Sequence, residues 1–380
     1  MIRGMTYEDD ISYGLRGNRV IISIADIHFG KIDPKVQYQI LEEQFLDKIA
    51  ELPIVHLIVI AGDLYDRKYM TDSEPITYAS LFIGKVMELS RIKGASVILL
   101  AGTKGHDADQ LNIFYHYQTN PNYNAFIIET LSVVNTKGMK LLCIPELYGV
   151  SEDLYQMYLN EYYDMAFMHG TFQGSVYGNN VGEGRLFTIH DFRGCLGPIV
   201  SGHVHTGGCF DKDFYYTGTP IRYAFGEDGE KGFLITLYNL DTRQYYMHLE
   251  PIQSFRYVTI NISDILLSDP QEVVKYINDI KVEQNIDYLR IVIDDDYPSE
   301  KSDIIKNYFR NKNDIKFKVE KDKVHSKAMK IQEDEIYNQY SYIFDKSLSE
   351  FEILARFIND KEGYTFIDGE KLKKIVMEEL

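Results

Sequence analysis

The chain has few of the features that would place it outside the cell or in a membrane. Its three cysteines, Cys143, Cys195 and Cys209, are too few and too scattered for a disulfide framework or a zinc cluster, and small buried hydrophobes are the expected role. The N-terminus has no apolar run after Arg3, and no later apolar run reaches membrane-spanning length. The sequence therefore predicts a cytoplasmic protein without a membrane association, in the host cytoplasm if the chain is viral.

Positively charged residues are also few relative to acidic ones. The 40 lysines and arginines are outnumbered by 57 aspartates and glutamates, which gives a formal net charge of -17. Because phosphate binding draws on clustered Lys and Arg, this net charge argues against a general electrostatic attraction to nucleic acid, and any DNA contact must be local. Two bound divalent cations would supply local positive charge inside such an acidic protein.

Apolar runs of strand length alternate with segments of helical spacing in the first third of the chain. The runs lie at 19–24, 56–60 and 96–100, and the helical segments at 36–50 and about 76–92. This alternation predicts a parallel sheet with its chemistry at the carboxyl ends of the strands. From about 124 to 250 the strands are more closely spaced, which predicts a second, more antiparallel sheet.

The 380 residues predict two or three domains. We expect an N-terminal extension at 1–18, a main domain at 19–250, a small βαβαβ domain at 251–328 and a helical tail at 329–380. The tail carries a sequence typical of a capping box at 347–350, Ser-Leu-Ser-Glu. The predicted fold class is α/β (α+β), a two-sheet sandwich flanked by helices.

Histidines and carboxylates collect in five short segments at predicted strand ends, and these segments contain five of the 10 histidines. The segments are Asp26-Ile27-His28, Gly62-Asp63, Gly105-His106-Asp107, Met168-His169-Gly170 and Gly202-His203-Val204-His205. Because side chains repeat every two residues in an extended chain, the two pairs spaced at i and i+2 are each predicted to face one side. Each segment alone has an ordinary explanation, such as a turn or surface histidines. Together they predict a metal site.

These segments resemble the motifs of calcineurin-like metallophosphoesterases, and within that superfamily those of SbcD-type exonucleases, the nuclease subunits of SbcCD-type DNA repair complexes. Residues 26–30 are similar to the first motif of that subfamily, 62–66 to the second, and 169–170 and 202–205 to the last two. The stretch 216–232, from Tyr-Thr-Gly-Thr-Pro to Lys-Gly, resembles the segment after the His-x-His pair. The resemblance covers about 19–250 and extends to the small domain only by position and alternation.

The resemblance implies a two-sheet metallophosphoesterase sandwich with two divalent metal ions. One ion would be held by Asp26, His28 and His205, a second by His169 and His203, with Asp63 bridging both. Nitrogen and carboxylate ligands suit Mn, with Fe or Zn as alternatives. The ions would activate a water for attack on phosphorus. His106 would steady the phosphate or protonate the leaving oxygen, and Asp107 would orient that imidazole.

The third motif departs from the family pattern. The family has Gly-Asn-His-Asp, whose asparagine ligates the second metal, whereas residues 102–107 here read Gly-Thr-Lys-Gly-His-Asp. Either the loop is two residues longer and another oxygen or water fills the vacancy, or the second metal binds weakly because Gly105 has no ligand atom. Our hypothesis at this stage is a weakly occupied second site. Lys104 would either place a positive charge near the phosphate or lie in solvent.

The resemblance also implies a function in DNA repair and recombination. It implies a manganese-dependent nuclease, a 3'-5' exonuclease on duplex ends and an endonuclease near ends, in a homodimer whose C-terminal helices bind an SbcC-type ATPase. The domain at 251–328 would act as a cap that steers DNA. Lys31, Arg67, Lys68 and Lys104 are candidate phosphate contacts, with solvated loop positions as the alternative. Two other functions stay open: a phosphodiesterase acting on small nucleotides, and a weakly catalytic or non-catalytic DNA-end-binding regulatory subunit of the ATPase.

Overall fold

The computed structural model describes residues 17–320 apart from 108, 176–184, 212, 228, 266 and 295–296, together with residue 352. Its contacts divide the chain into two compact units, 1–257 and 258–380. Most of the predicted N-terminal extension and of the predicted helical tail, including the capping box at 347–350, lies outside the described residues. The domain boundaries predicted from the sequence therefore stay predictions.

The described part of the chain contains strands and helices in the order that the sequence predicts. The strands are β1 Asn18–Ile24, β2 Leu57–Ala61, β3 Ser96–Leu100, β4 Asn124–Ile128, β5 Ser132–Thr136, β6 Met139–Ile144, β7 Met165–His169, β8 Thr171–Phe172, β9 Leu186–Phe187, β10 Ile199–Gly202, β11 Gly208–Asp211, β12 Phe214–Tyr216, β13 Gly232–Asn239, β14 Tyr245–Pro251, β15 Tyr257–Asn261, β16 Tyr288–Asp294 and β17 Ile315–Glu320. The α-helices are α1 Pro34–Leu41, α2 Asp47–Glu51, α3 Glu74–Lys93, α4 Tyr115–Thr119, α5 Glu152–Leu159, α6 Pro270–Glu283 and α7 Ser299–Phe309. A π-helical turn, Glu42–Leu46, joins α1 to α2.

The first sheet has the order β14-β13-β1-β2-β3-β4. Strands β1 to β4 are parallel. Strand β13 pairs antiparallel with β1, and β14 pairs antiparallel with β13. All five residues of β2 and of β3 are buried, as expected for central strands whose two faces are both covered. The carboxyl ends of β1, β2 and β3 consequently lie side by side at one edge of the sheet.

The second sheet has the order β11-β12-β10-β7-β6-β5. Its four inner strands are parallel, and only the outer strands β5 and β11 are antiparallel to their neighbours. The expectation of a more antiparallel second sheet was therefore wrong for its centre. The parallel register pairs Gly202 with His169, which aligns the carboxyl ends of β10 and β7.

The two sheets pack face to face across a common hydrophobic core. Ile21, Val59 and Ile98 of the first sheet share one buried cluster with Phe167 and Val200 of the second. Burial of such side chains contributes about 1.5–3 kcal/mol each. The predicted two-sheet sandwich is confirmed, and no helix among the described residues combines the length and the apolar character needed to cross a bilayer.

The second unit is described by itself as a small α/β domain. Its sheet has the order β15-β16-β17, with β16 and β17 parallel. Helices α6 and α7 alternate with these strands and bury Val273, Ile277, Ile305 and Phe309 in one cluster. This is the βαβαβ alternation predicted from the sequence.

Candidate metal centre

The loops that follow β1, β2 and β10 place four predicted ligands in an unusual backbone conformation. Asp26, His28, Asp63 and His203 have positive φ values of 51°, 51°, 52° and 86°. Non-glycine residues rarely adopt this left-handed region, and such strain concentrates at functional sites. The expectation that Asp26 and His28 share one side of an extended strand was wrong, because β1 ends at Ile24 and the pair converges through left-handed turns instead.

The first ligand group consists of Asp26, His28 and His205, whose ligand atoms lie within 4.8 Å of one another. The Nε2 atoms of His28 and His205 are 3.1 Å apart. Burial lowers the pKa of His28 to about 3, so its imidazole is neutral and offers a lone pair. This group matches the ligand set that the resemblance implies for one metal.

The second ligand group contains a residue that the sequence analysis missed. Glu146 joins His169 and His203, again with ligand atoms within 4.8 Å. Its Oε2 atom is 3.4 Å from His203 Nδ1 and 3.9 Å from His169 Nε2. Burial opposes ionisation of Glu146, but hydrogen bonding to His203 and the charge of His169 lower its pKa to about 2. One feature of the sequence could have identified it: Glu146 is a carboxylate two residues after the end of a strand, as are Asp26 and Asp63.

Asp63 lies between the two groups. Its Oδ2 atom is 3.4 Å from His169 Nε2, 3.8 Å from His28 Nε2 and 3.7 Å from His106 Nδ1. Burial alone would raise the pKa of Asp63, but the imidazoles of His169, His28 and His106 lower it below its usual range. A carboxylate in this position is suited to bridge two cations.

His169 provides a test of whether these residues fit metal ions. Its Nδ1 atom is 2.8 Å from the carbonyl oxygen of Ala61, so Nδ1 carries a hydrogen, and in the neutral ring Nε2 is the atom that can bind a metal ion. Nε2 is buried, and it has no hydrogen-bond partner among the described residues. It faces the carboxylates of Asp63 and Glu146. Burial opposes protonation of His169, but the negative charge of Asp63 raises its pKa to about 10, so the site favours a positive charge at Nε2. A proton supplies that charge in the metal-free chain, and a divalent cation can take its place. Imidazole nitrogens and carboxylate oxygens are common ligands of divalent transition metals, so the residues fit.

A close approach of the loops explains one of the glycines. Gly62 has a φ of +91°, and a Cβ atom at this position would collide with the ring of His169. Any side chain at residue 62 would push β2 and His169 apart and separate Asp63 from the second ligand group.

His106 lies beside the first ligand group, as its sequence position predicts. Its Nδ1 atom is 3.0 Å from the carbonyl oxygen of Tyr65 and 3.2 Å from His28 Nδ1, and its side chain is 27% exposed. Asp107 is fully buried and accepts hydrogen bonds from the backbone N–H groups of Gly102 and Tyr65. These bonds fix the loop that carries His106. The direct orientation of the imidazole by Asp107 stays a prediction.

The stretch 216–232 holds His205 in place. Glu227 Oε1 is 3.6 Å from His205 Nδ1, and Lys231 Nζ is 3.3 Å from Glu227 Oε2. The Lys231 ammonium also donates to the carbonyl oxygen of His205 and to the hydroxyl of Thr219, at 2.9 and 2.8 Å. A carboxylate on the second nitrogen of a metal-binding imidazole fixes its tautomer, which gives this segment a physical role next to the ligands.

Replacing Glu227 with glutamine is expected to weaken metal binding at the first group. The change removes the negative charge next to His205 Nδ1, and loss of such an outer partner lowers metal affinity roughly 10–100-fold. Isothermal titration with Mn²⁺ measures the effect, and Glu230→Gln, an exposed acid of the same loop, is the control. Equal affinity in the two variants would contradict this role of Glu227.

Three of the four predicted DNA-contacting cations form ion pairs. Lys31 and Arg67 lie 3.1 and 2.9 Å from the carboxylate of Asp66, and Lys68 lies 3.4 Å from an exposed aspartate. Lys104 is exposed on the loop after β3. Exposed ion pairs are weak and exchange readily for other anions, so phosphate contact by these four residues stays a prediction.

The described residues form a two-sheet sandwich whose loops bring together side chains that could hold metal ions. The chain is 24% identical over 271 residues to "Putative phosphoesterase 244L" of Invertebrate iridescent virus 6, an alignment that covers 67% of this chain and 91% of the relative. It is 24% identical over 232 residues to "Putative phosphoesterase 078R" of Invertebrate iridescent virus 3, which covers 57% of this chain and 61% of the relative. Both names support a phosphoesterase family.

No family model matches the chain. A solved structure superposes on 61% of it with 12% sequence identity and a TM-score of 0.38, a similarity too low to define a relationship.

Proposed function

We propose that the chain is a phosphoesterase that hydrolyses phosphodiester bonds in DNA with two divalent metal ions, most favourably Mn²⁺. The observation that carries this proposal is the position of Asp63 between two groups of metal-ligating side chains, with His106 beside them. The viral relatives named as phosphoesterases support the hydrolase class. They do not bear on the choice of DNA as substrate.

When bound, the two ions would supply an activated water and would offset negative charge on the phosphate oxygens. Asp26, His28 and His205 would hold one ion, His169 and His203 the other, and Asp63 both. His106 is 27% exposed and its Nδ1 atom lies 3.7 Å from Asp63 Oδ2, so it is positioned to contact the substrate phosphate or to donate a proton to the leaving oxygen. The Tyr65 carbonyl oxygen accepts a hydrogen bond from the Nδ1 atom of His106, which fixes the orientation of the ring.

The proposal of DNA as substrate rests on the resemblance to SbcD-type exonucleases. The stretch 216–232, which is part of that resemblance, contacts the ligand His205 through Glu227 and Lys231. The small βαβαβ domain follows it, as the resemblance requires. By the same resemblance we propose 3'-5' exonuclease action on duplex ends, endonuclease action near ends, a homodimer, and binding of an SbcC-type ATPase through residues 329–380.

Two alternative functions would use the candidate site differently from a DNA nuclease. A phosphodiesterase for small nucleotides would use the same metals without the small domain. A non-catalytic regulatory subunit would have no need for His106 beside Asp63, a position that favours catalysis.

Release of end label from linear duplex DNA tests the proposal. The purified chain is incubated with Mn²⁺, with and without an SbcC-type ATPase, and bis(4-nitrophenyl) phosphate serves as the small substrate. We expect metal-dependent release from DNA that EDTA abolishes. Cleavage of the small phosphodiester alone would instead indicate the nucleotide phosphodiesterase, and DNA binding without cleavage of either substrate would indicate the regulatory subunit.

A further inference from the structure

We infer that Glu146 is a ligand of the second metal ion and takes the place of the asparagine that the third motif lacks. The inference rests on the proposed two-metal function and concerns the composition of that same site. It replaces the hypothesis of a weakly occupied second site with the expectation of two tight sites.

The position of Glu146 meets the geometric requirement for a ligand. Its side chain is 6% exposed, and its Oε2 atom faces the two histidines of the second group at 3.4 and 3.9 Å. The Oε2 atom, His169 Nε2 and a ring nitrogen of His203 all lie within 4.8 Å of one another. Three atoms at these separations leave room for one cation between them.

Two hydroxyl groups fix the orientation of the Glu146 carboxylate. The hydroxyl of Tyr148 donates to Oε1 at 2.6 Å, and the hydroxyl of Thr103 is 2.9 Å from Oε2. Thr103 also contacts Asp63, through its N–H to Oδ1 at 2.6 Å and its hydroxyl to Oδ2 at 3.2 Å. One loop residue therefore links the central carboxylate to Glu146, as expected of a preorganised site.

The loop after β3 explains why a residue that follows β6, Glu146, would supply the missing ligand. Gly105 is exposed, and a Cβ atom built on it has no heavy atom within 4 Å, so a side chain at this position would project into open space. Thr103 of this loop contacts both Asp63 and Glu146, and it follows Gly102 as asparagine follows glycine in the family motif. Of the alternatives left open by the sequence, the structure supports the longer loop with another oxygen in the vacancy.

A buried ion pair with His203 would be the simpler role for Glu146. It does not account for His169, whose Nε2 atom is buried, has no hydrogen-bond partner among the described residues and lies 3.9 Å from the same oxygen. A metal ion satisfies the carboxylate and both imidazoles at once. A proton shared with His203 satisfies only one of them.

A third carboxylate changes the charge of the site. Asp26, Asp63 and Glu146 carry three negative charges against four positive charges from two divalent ions, whereas an amide ligand would leave only two negative charges. The second ion is therefore bound more tightly, and the site attracts an anionic phosphate less strongly.

The replacement Glu146→Gln tests the inference, because it keeps the size of the side chain and removes its charge. Metal content after gel filtration in Mn²⁺ gives the stoichiometry, and titration calorimetry gives the two affinities. Electron paramagnetic resonance of bound Mn²⁺ separates a coupled pair from a single ion. The control is Glu161→Gln, which removes a 56% exposed carboxylate paired with Lys140.

We expect two bound ions, and the electron paramagnetic resonance signal of a coupled Mn²⁺ pair, in the unchanged protein and in Glu161→Gln. In Glu146→Gln the second ion should bind about 100-fold more weakly or more, since even outer-shell changes cost 10–100-fold. Two ions bound by Glu146→Gln with unchanged affinity would overturn the inference, as would a single ion in the unchanged protein. The DNA cleavage assay is independent: a chain that shows this metal pattern but does not cleave DNA would contradict the proposed substrate and leave the role of Glu146 intact.

Discussion

Replacement of Asp63 with asparagine is expected to cause the largest loss of activity of any single change in the chain. Asp63 Oδ2 lies within 3.8 Å of an imidazole nitrogen of His28, of His106 and of His169, so its charge serves both ligand groups. An amide in its place would bridge two cations poorly, because only its oxygen is a ligand atom and it carries no charge. We expect hydrolysis to fall roughly 10³-fold or more, the scale on which one preorganised electrostatic group acts in catalysis.

The measurement is the initial rate of phosphodiester hydrolysis at saturating Mn²⁺, with metal content determined on the same samples. Asp241→Asn is the matched control, since Asp241 is an exposed aspartate in the turn between β13 and β14. Circular dichroism checks that the folded state persists. Wild-type rates in Asp63→Asn, or two ions bound with unchanged affinity, would show that Asp63 does not bridge the metals.

Replacement of His106 with alanine is expected to separate catalysis from metal binding. His106 is a partly exposed imidazole beside Asp63, and its proposed role is toward the phosphate rather than as a ligand. Loss of proton transfer or of phosphate positioning should lower the rate about 10²- to 10⁴-fold, whereas two metal ions should remain bound. This pattern differs from that of Asp63→Asn, in which metal content falls together with the rate.

The test measures kcat and KM on the cleaved substrate and metal content by calorimetry. His116→Ala is the control, since His116 is an exposed histidine of helix α4 whose Nδ1 atom contacts the carbonyl oxygen of Ile113. A His106 variant that loses one metal ion would reassign this residue as a ligand. A variant with unchanged kcat would exclude it from catalysis.

Much of the fold follows from local sequence patterns. The runs at 56–60 and 96–100 were predicted as strands, and the structure has strands at Leu57–Ala61 and Ser96–Leu100. Helix α3 was predicted at about 76–92 and spans Glu74–Lys93, with Gly94 in a left-handed conformation at its end. These elements were predictable because a strand buried on both faces has a continuous apolar run, whereas a helix buried on one face has apolar residues at helical spacing. The parallel direction of the inner strands of the second sheet was not predictable, because strand direction depends on how the strands are connected and is not encoded in the apolar pattern of each strand.

The sequence by itself determined which histidines and aspartates are candidate ligands, their order along the chain and their places at strand ends. His169, for example, ends β7, and Asp63 follows β2 after Gly62. The tertiary structure alone decided that Glu146 joins His169 and His203, and that Glu227 contacts His205. A carboxylate after a strand is common in any sequence. Its role depends on which strand ends lie side by side, and here the parallel pairing of β6, β7 and β10 sets β6 beside β7 and β7 beside β10.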